Sequence, residues 1–254
     1  MDTTVYSRET LSRQSTFGAL CVIPSSLSAE MLGRSGLDWL TIDCQHGLID
    51  FAAMVSMLQA IAISPVLSLV RVPENNPATI GRALDAGAGG VIVPMVGSRA
   101  EAEAAVSAVR YAPNGTRSWG ATRAAWPAQV STEPVEGLTF VMIETADAFK
   151  QAADIIATPG VDGVFVGTSD LAVSLGLGPQ EHLHPRVREY ATEVARLCRQ
   201  NGVVAAISAP TPEIASAWHV AGFQMFSLGR DLTAMAERVT ERLNAFRALA
   251  AHKS

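Results

Sequence analysis

The chain has 254 residues, 48% of them hydrophobic and 17% charged, with a net charge of -5. That balance suits a globular protein with a sizeable core and excludes a disordered one. No basic cluster offers a phosphate backbone anything to bind and no apolar run reaches the roughly 18 residues that cross a bilayer, so neither nucleic acid nor a membrane is an expected partner.

The polar start MDTTVYSRETLSRQS lacks the apolar segment of a signal peptide, which points to a cytoplasmic protein. From there, short apolar runs rich in β-branched residues alternate with helical patterns. The runs FGALCVI (17–23), DWLTID (38–43), PVLSLVR (65–71) and GGVIVPM (89–95) predict four strands, separated by helical segments at 28–36, 51–63 and 77–87. A helix at 99–111 leads to LTFVMIE (138–144), and one at 146–158 leads to GVFVG (163–167). A helix at 185–202 then precedes GVVAAIS (202–208), one at 212–222 precedes FQMFSLG (223–229), and a last helix spans 231–250. Gly36, Gly87, Gly202 and Gly222 stand where C-caps fall.

Continuous apolar strands imply burial on both faces, and strand–helix alternation implies parallel pairing. Eight such units predict an α/β fold, a single (β/α)8 TIM barrel over residues 1–254. A doubly wound sheet is the alternative, yet VIPSSLSAE after the first strand is no glycine-rich fingerprint. The connection 112–137, with two Trp and two Arg, is long for such a domain and reads as a lid or a subunit contact. Three cysteines (Cys21, Cys44 and Cys198) without CxxC spacing read as reduced thiols.

Active sites of barrels lie at the C-terminal ends of the strands. The polar residues there are Asp43 and His46 after strand 2, Arg71 after strand 3, Glu144 after strand 5 and Asp170 after strand 6, with Asp85, before strand 4, a looser member. A carboxylate ending an apolar strand, as Glu144 does, needs a cation, a metal or hydrogen-bond donors. With Asp170 one strand over, two arrangements are open: a hard divalent site, or a carboxylate pair satisfied by Arg71 and backbone amides. The segment GTSDL opens a helix, so the amides near Gly167, Thr168 and Ser169 suit an anion; the alternative is that Ser169 or Asp170 merely caps the helix. Arg71 suits an enolate oxygen or a structural ion pair. His46, three residues past Asp43, is a candidate proton acceptor that Asp43 would orient. The only lysines, Lys150 and Lys253, lie away from strand ends, which disfavours an imine route and leaves a metal route.

The segments LDWLTIDCQHG, RVPENNPATIGRALDAGAGGVIVPMV, RYAPNGTRSWG, MIET and GVDGVFVGTSDLAVSLG, in this order, resemble the HpcH/HpaI family of metal-dependent (class II) pyruvate aldolases over roughly residues 17–245. The resemblance implies a barrel of the phosphoenolpyruvate/pyruvate type. It implies His46 as base, Asp43 as its supporting carboxylate and Arg71 on the keto or enolate oxygen. Glu144 and Asp170 would ligate a divalent ion (Mg2+, Mn2+ or Co2+), amides around Gly167, Thr168 and Ser169 would hold the pyruvate carboxylate, and Asp85 would reach the site from a neighbouring subunit or through water. It further implies a hexamer built from dimers that exchange C-terminal helices. The chain departs from the family's pattern at Gln45, Met142 and Thr168, none of them a ligand or the base. The expected reaction is reversible cleavage of a 4-hydroxy-2-oxo acid, through a metal-bound enolate, into pyruvate and an aldehyde, with Leu20 and Trp119 on the aldehyde side. Alternatives are a carbon–carbon lyase acting on a CoA thioester, of the malyl-CoA or citramalyl-CoA type, and a binding protein without turnover.

Overall fold

The computed structural model describes residues 7–120 and 136–251. Each predicted apolar run forms a strand: β1 (Thr16–Cys21), β2 (Trp39–Asp43), β3 (Leu67–Arg71), β4 (Gly90–Val93), β5 (Leu138–Ile143), β6 (Gly163–Val166), β7 (Val204–Ser208) and β8 (Met225–Arg230). All pairs are parallel, and β8 pairs with β1 to close an eight-stranded barrel. The helices between them are α2 (Ser26–Gly33), α3 (Phe51–Ile61), α4 (Pro77–Asp85), α5 (Arg99–Val109), α6 (Ala146–Lys150), α7 (Ala152–Ile156), α8 (Thr168–Ser174), α9 (Pro185–Asn201) and α10 (Pro212–Ala221). Gly202 and Gly222 close α9 and α10 in the left-handed region, at φ 63° and 107°. Among the described residues no helix is long and apolar enough to cross a membrane.

Strand ends depart from the predicted runs for physical reasons. Val22 and Ile23 leave the β1 ladder because their amides donate to Asp231. β4 stops at Val93 because Pro94 has no N–H and Met95 turns to φ 57°. The 146–158 segment is two short helices, and an unpredicted helix, α1 (Arg8–Arg13), opens the described chain, capped reciprocally by Ser7 and Thr10. Its Leu11 is fully buried against the barrel interior.

Alternation along the strands sends Trp39, Leu69, Phe140, Met142 and Phe165 inward and residues such as Leu40, Ile42 and Val141 outward under the helices. The interior is filled by large rings set against glycines: a Cβ on Gly163 would fall 2.1 Å from the Phe140 ring, and one on Gly18 the same distance from Trp39. The final helix, α11 (Asp231–Ala251), behaves differently. From Leu232 to Ala250 its residues are exposed, and Phe17 on β1 and Leu228 on β8 are left partly uncovered.

Gly163→Ala should force the Phe140 ring out of place and lower unfolding stability by about 1–3 kcal/mol, the usual cost of overpacking, measured by urea denaturation.

Candidate active site

The β2–β3 register sets Asp43 beside Arg71 at the C-terminal edge of the barrel. Both are buried, and the carboxylate meets the guanidinium in a fork, Oδ1 accepting from Nε at 2.8 Å and Oδ2 from Nη2 at 2.5 Å. Oδ1 also accepts the backbone N–H groups of Gln45 and His46, building the turn that follows the strand. Burial works to raise the pKa of Asp43, but the hydrogen bond and charge of Arg71, helped by those two amides, hold it below the ordinary carboxylate value.

This geometry corrects one expectation. Asp43 fixes the backbone of His46 rather than orienting its ring, because both carboxylate oxygens are already committed. The His46 side chain is exposed and has no hydrogen-bond partner among the described residues. The remaining edge of Arg71, Nη1, meets only the Met142 sulfur, at 3.9 Å, among the described residues.

Glu144, at the end of β5, is 2% exposed. Its Oε1 accepts the amide of Met95 at 2.7 Å. Met95 is the one non-glycine residue at positive φ among those described, and this rare backbone state aims its N–H at the carboxylate. Burial pushes the Glu144 pKa up; the Met95 amide and Arg71 oppose this, and the charge of Asp170 adds to it. Gly167, between β6 and α8, is required on steric grounds: a Cβ there would lie 2.5 Å from Glu144 Oε2. Gly167 supplies no side-chain cap, so the first amides of α8, at Thr168 and Ser169, remain available to a ligand.

Glu144 and exposed Asp170 thus form a corner of negative charge without a full partner. No cluster of three His, Cys, Asp or Glu residues suited to a metal occurs among the described residues. Two carboxylates with the other positions left to water and substrate oxygens nevertheless fit a hard divalent ion, and the unmet charge on buried Glu144 is what a cation would relieve.

Other expectations fall away from this corner. Asp85 ends α4 and therefore lies at the N-terminal side of the barrel, where its Oδ1 accepts from Arg117 Nη2 at 2.7 Å. Arg117 in turn lies 4.5 Å from the Tyr111 ring centroid, and Trp119 packs on Tyr111. Within one chain, Asp85 is not brought to the mouth, and Trp119 does not line it. The described flanks of the 112–137 loop, 112–120 and 136–137, sit at that far end too; Arg123 and Trp126 lie outside the described residues. Leu20 is half-buried on the inward face of β1 near the mouth. Lys150 is exposed and paired with Asp147, and Lys253 lies outside the described residues. All three cysteines are free, and burial, with the charges of Asp43 and Asp50, pushes the Cys44 thiol up to about 12, which removes it as a nucleophile.

Three residues at the mouth escape sequence reasoning. Met95 gives no signal, since nothing in PMVGS marks a left-handed methionine. Met142 stands out only as a departure from the family's pattern, and its contact with Arg71 has no signal of its own. Asp231 had a signal, an acidic residue opening the last helix, but its role is longer-ranged: it accepts the amides of Val22 and Ile23 and the Ser28 hydroxyl.

A family model described as HpcH/HpaI aldolase/citrate lyase matches residues 23–237. A 2-dehydro-3,6-dideoxy-6-sulfogluconate aldolase of Pseudomonas putida is 34% identical over 244 residues, covering 93% of this chain and 95% of its own. A hydroxypyruvate/pyruvate aldolase of Rhizorhabdus wittichii is 44% identical over 163 residues, 62% of this chain and 64% of its own. Among solved structures, an HpcH/HpaI aldolase/citrate lyase family protein from Burkholderia cenocepacia superposes with a TM-score of 0.87 at 31% identity, covering 94% of this chain and 98% of that one.

The raised pKa of Glu144 has a definite sign for stability without metal. Above its folded value the buried carboxylate is ionised at a cost; below the ordinary value of 4.5 both folded and unfolded states are protonated and the cost vanishes. Glu144→Gln should therefore stabilise the metal-free protein near about pH 8, with the gain fading toward about pH 4, as read from denaturant midpoints.

Proposed function

The chain belongs to the HpcH/HpaI aldolase/citrate lyase family, and from that premise we propose that it is a divalent-metal-dependent aldolase, reversibly cleaving 4-hydroxy-2-oxo acids into pyruvate and an aldehyde. The observation that carries this reading is the buried Glu144 carboxylate, crowded by Asp170 and facing an Arg71 whose Nη1 edge has no strong acceptor.

Glu144 and Asp170 are the residues that would hold the ion. A bound Mg2+, Mn2+ or Co2+ supplies Lewis acidity toward the keto group of the substrate. Arg71, held rigid by Asp43, donates from Nη1 to the oxygen that gains charge as the carbon–carbon bond breaks and the enolate of pyruvate forms. The amides of Thr168 and Ser169 take the substrate carboxylate. His46, exposed at the rim on a turn that Asp43 fixes, accepts the proton of the 4-hydroxyl group and returns one in the aldol direction.

The same reading makes the protein a homo-oligomer, a hexamer of three dimers that exchange α11. Its support is the apolar stripe Leu232, Met235, Val239, Leu243 and Phe246, exposed at helical spacing, together with the uncovered Phe17 and Leu228 on the barrel seam. In such an assembly Asp85, remote from its own chain's mouth, serves a neighbour's.

Glu144→Ala should abolish both aldol cleavage and the metal-dependent exchange of pyruvate methyl protons in deuterated water, and excess EDTA should do the same to the unaltered protein. Full turnover in either case overturns the reading. Leu243→Asp with Phe246→Asp should reduce the mass measured by light scattering; an unchanged assembly would exclude α11 as the contact.

A further inference from the structure

Met142 stands two residues before Glu144 on β5, so both side chains enter the barrel from the same face. Only 3% exposed, it spans the ground between the two halves of the site. Its Sδ lies 3.9 Å from Arg71 Nη1, and its Cε would stand 3.3 Å from a Cβ on Gly167, beside Glu144.

The state of Arg71 makes this position informative. Nε and Nη2 are committed to Asp43, and Nη1 faces a thioether, an acceptor too weak to use up its donors. Any ligand oxygen that draws up to Nη1 therefore comes to rest against the sulfur and terminal methyl of Met142. If the site takes a 2-oxo acid, the inference resting on that reading, the keto oxygen and carboxylate seek donors and cation. The remaining substituent of the keto carbon, C3, then falls to the apolar wall.

We propose that Met142 determines which 2-oxo acid serves as carbon donor, its thioether forming the surface on which C3 rests. A C3 methyl is accepted there. A C3 hydroxyl is disfavoured, because it loses its water and finds no partner on that wall. Apolar pockets reject an added hydroxyl by no more than about 100-fold, so pyruvate should be preferred over hydroxypyruvate by roughly 10- to 100-fold.

The test measures two quantities on the Mn2+-loaded full-length protein: the ratio of Kd values for hydroxypyruvate and pyruvate by calorimetry, and the exchange of their C3 protons in deuterated water. Met142→Leu should keep the preference. Met142→Gln, or Met142→Thr should the first fold poorly, should lower the binding ratio by roughly tenfold, since the new polar group gives the hydroxyl a partner. A binding ratio near one in the unaltered protein, or one unmoved by both polar substitutions, overturns the inference whatever the exchange rates. A ratio that shifts as expected while no exchange occurs with either acid would instead strike the aldolase reading and leave the role of Met142 standing.

Discussion

The buried fork between Asp43 and Arg71 is the constraint from which the site follows. Its two members come from adjacent strands in register, and each buries its charge against the other. Removing one member of such a pair typically costs about 3–5 kcal/mol, because the survivor remains buried and uncompensated. The fork also does three positioning jobs at once. It commits two of the guanidinium nitrogens to Asp43, leaves the third beside the Met142 sulfur, and lets Asp43 Oδ1 gather the amides that place His46.

Charge accounting across the mouth explains the rest. Because Asp43 already neutralises Arg71, the guanidinium has little left to offset Glu144, which sits buried with one backbone amide and a second carboxylate nearby. A protein without use for a cation would have little reason to keep that arrangement, since an apolar residue at the end of β5 would cost less. The strained backbone at Met95 belongs to the same account: its unfavourable φ aims one donor at the most costly group in the barrel.

The barrel was readable from the alternation of apolar runs and helical periods because both periods are set by burial, which is local and repetitive. Asp43, Arg71 and Glu144 stood out because carboxylates and a guanidinium closing apolar strands are costly anomalies, whereas Asp170, exposed in the first turn of α8, stood out only by following one. What was not readable depended on pairing. Sequence proximity linked Asp43 to the His46 ring, whereas strand register gave its oxygens to Arg71, 28 residues away. Asp85 lay close to a strand in sequence, but at the wrong end of it, since the helix it terminates runs back down the barrel. Met142 was marked as a departure from the family's pattern but not as a neighbour of Arg71, and Met95 acts through its backbone, which side-chain chemistry does not report.

Asp231 couples the two ends of the chain. Its carboxylate holds the amides of Val22 and Ile23, about 209 positions earlier, and so secures the corner where the first strand gives way to its helix. During vectorial synthesis that corner stays unfastened until Asp231 itself has left the ribosome. Staves two through seven can assemble as they emerge, but the rim completes only with the last one, which makes the opening of the barrel the final part to set.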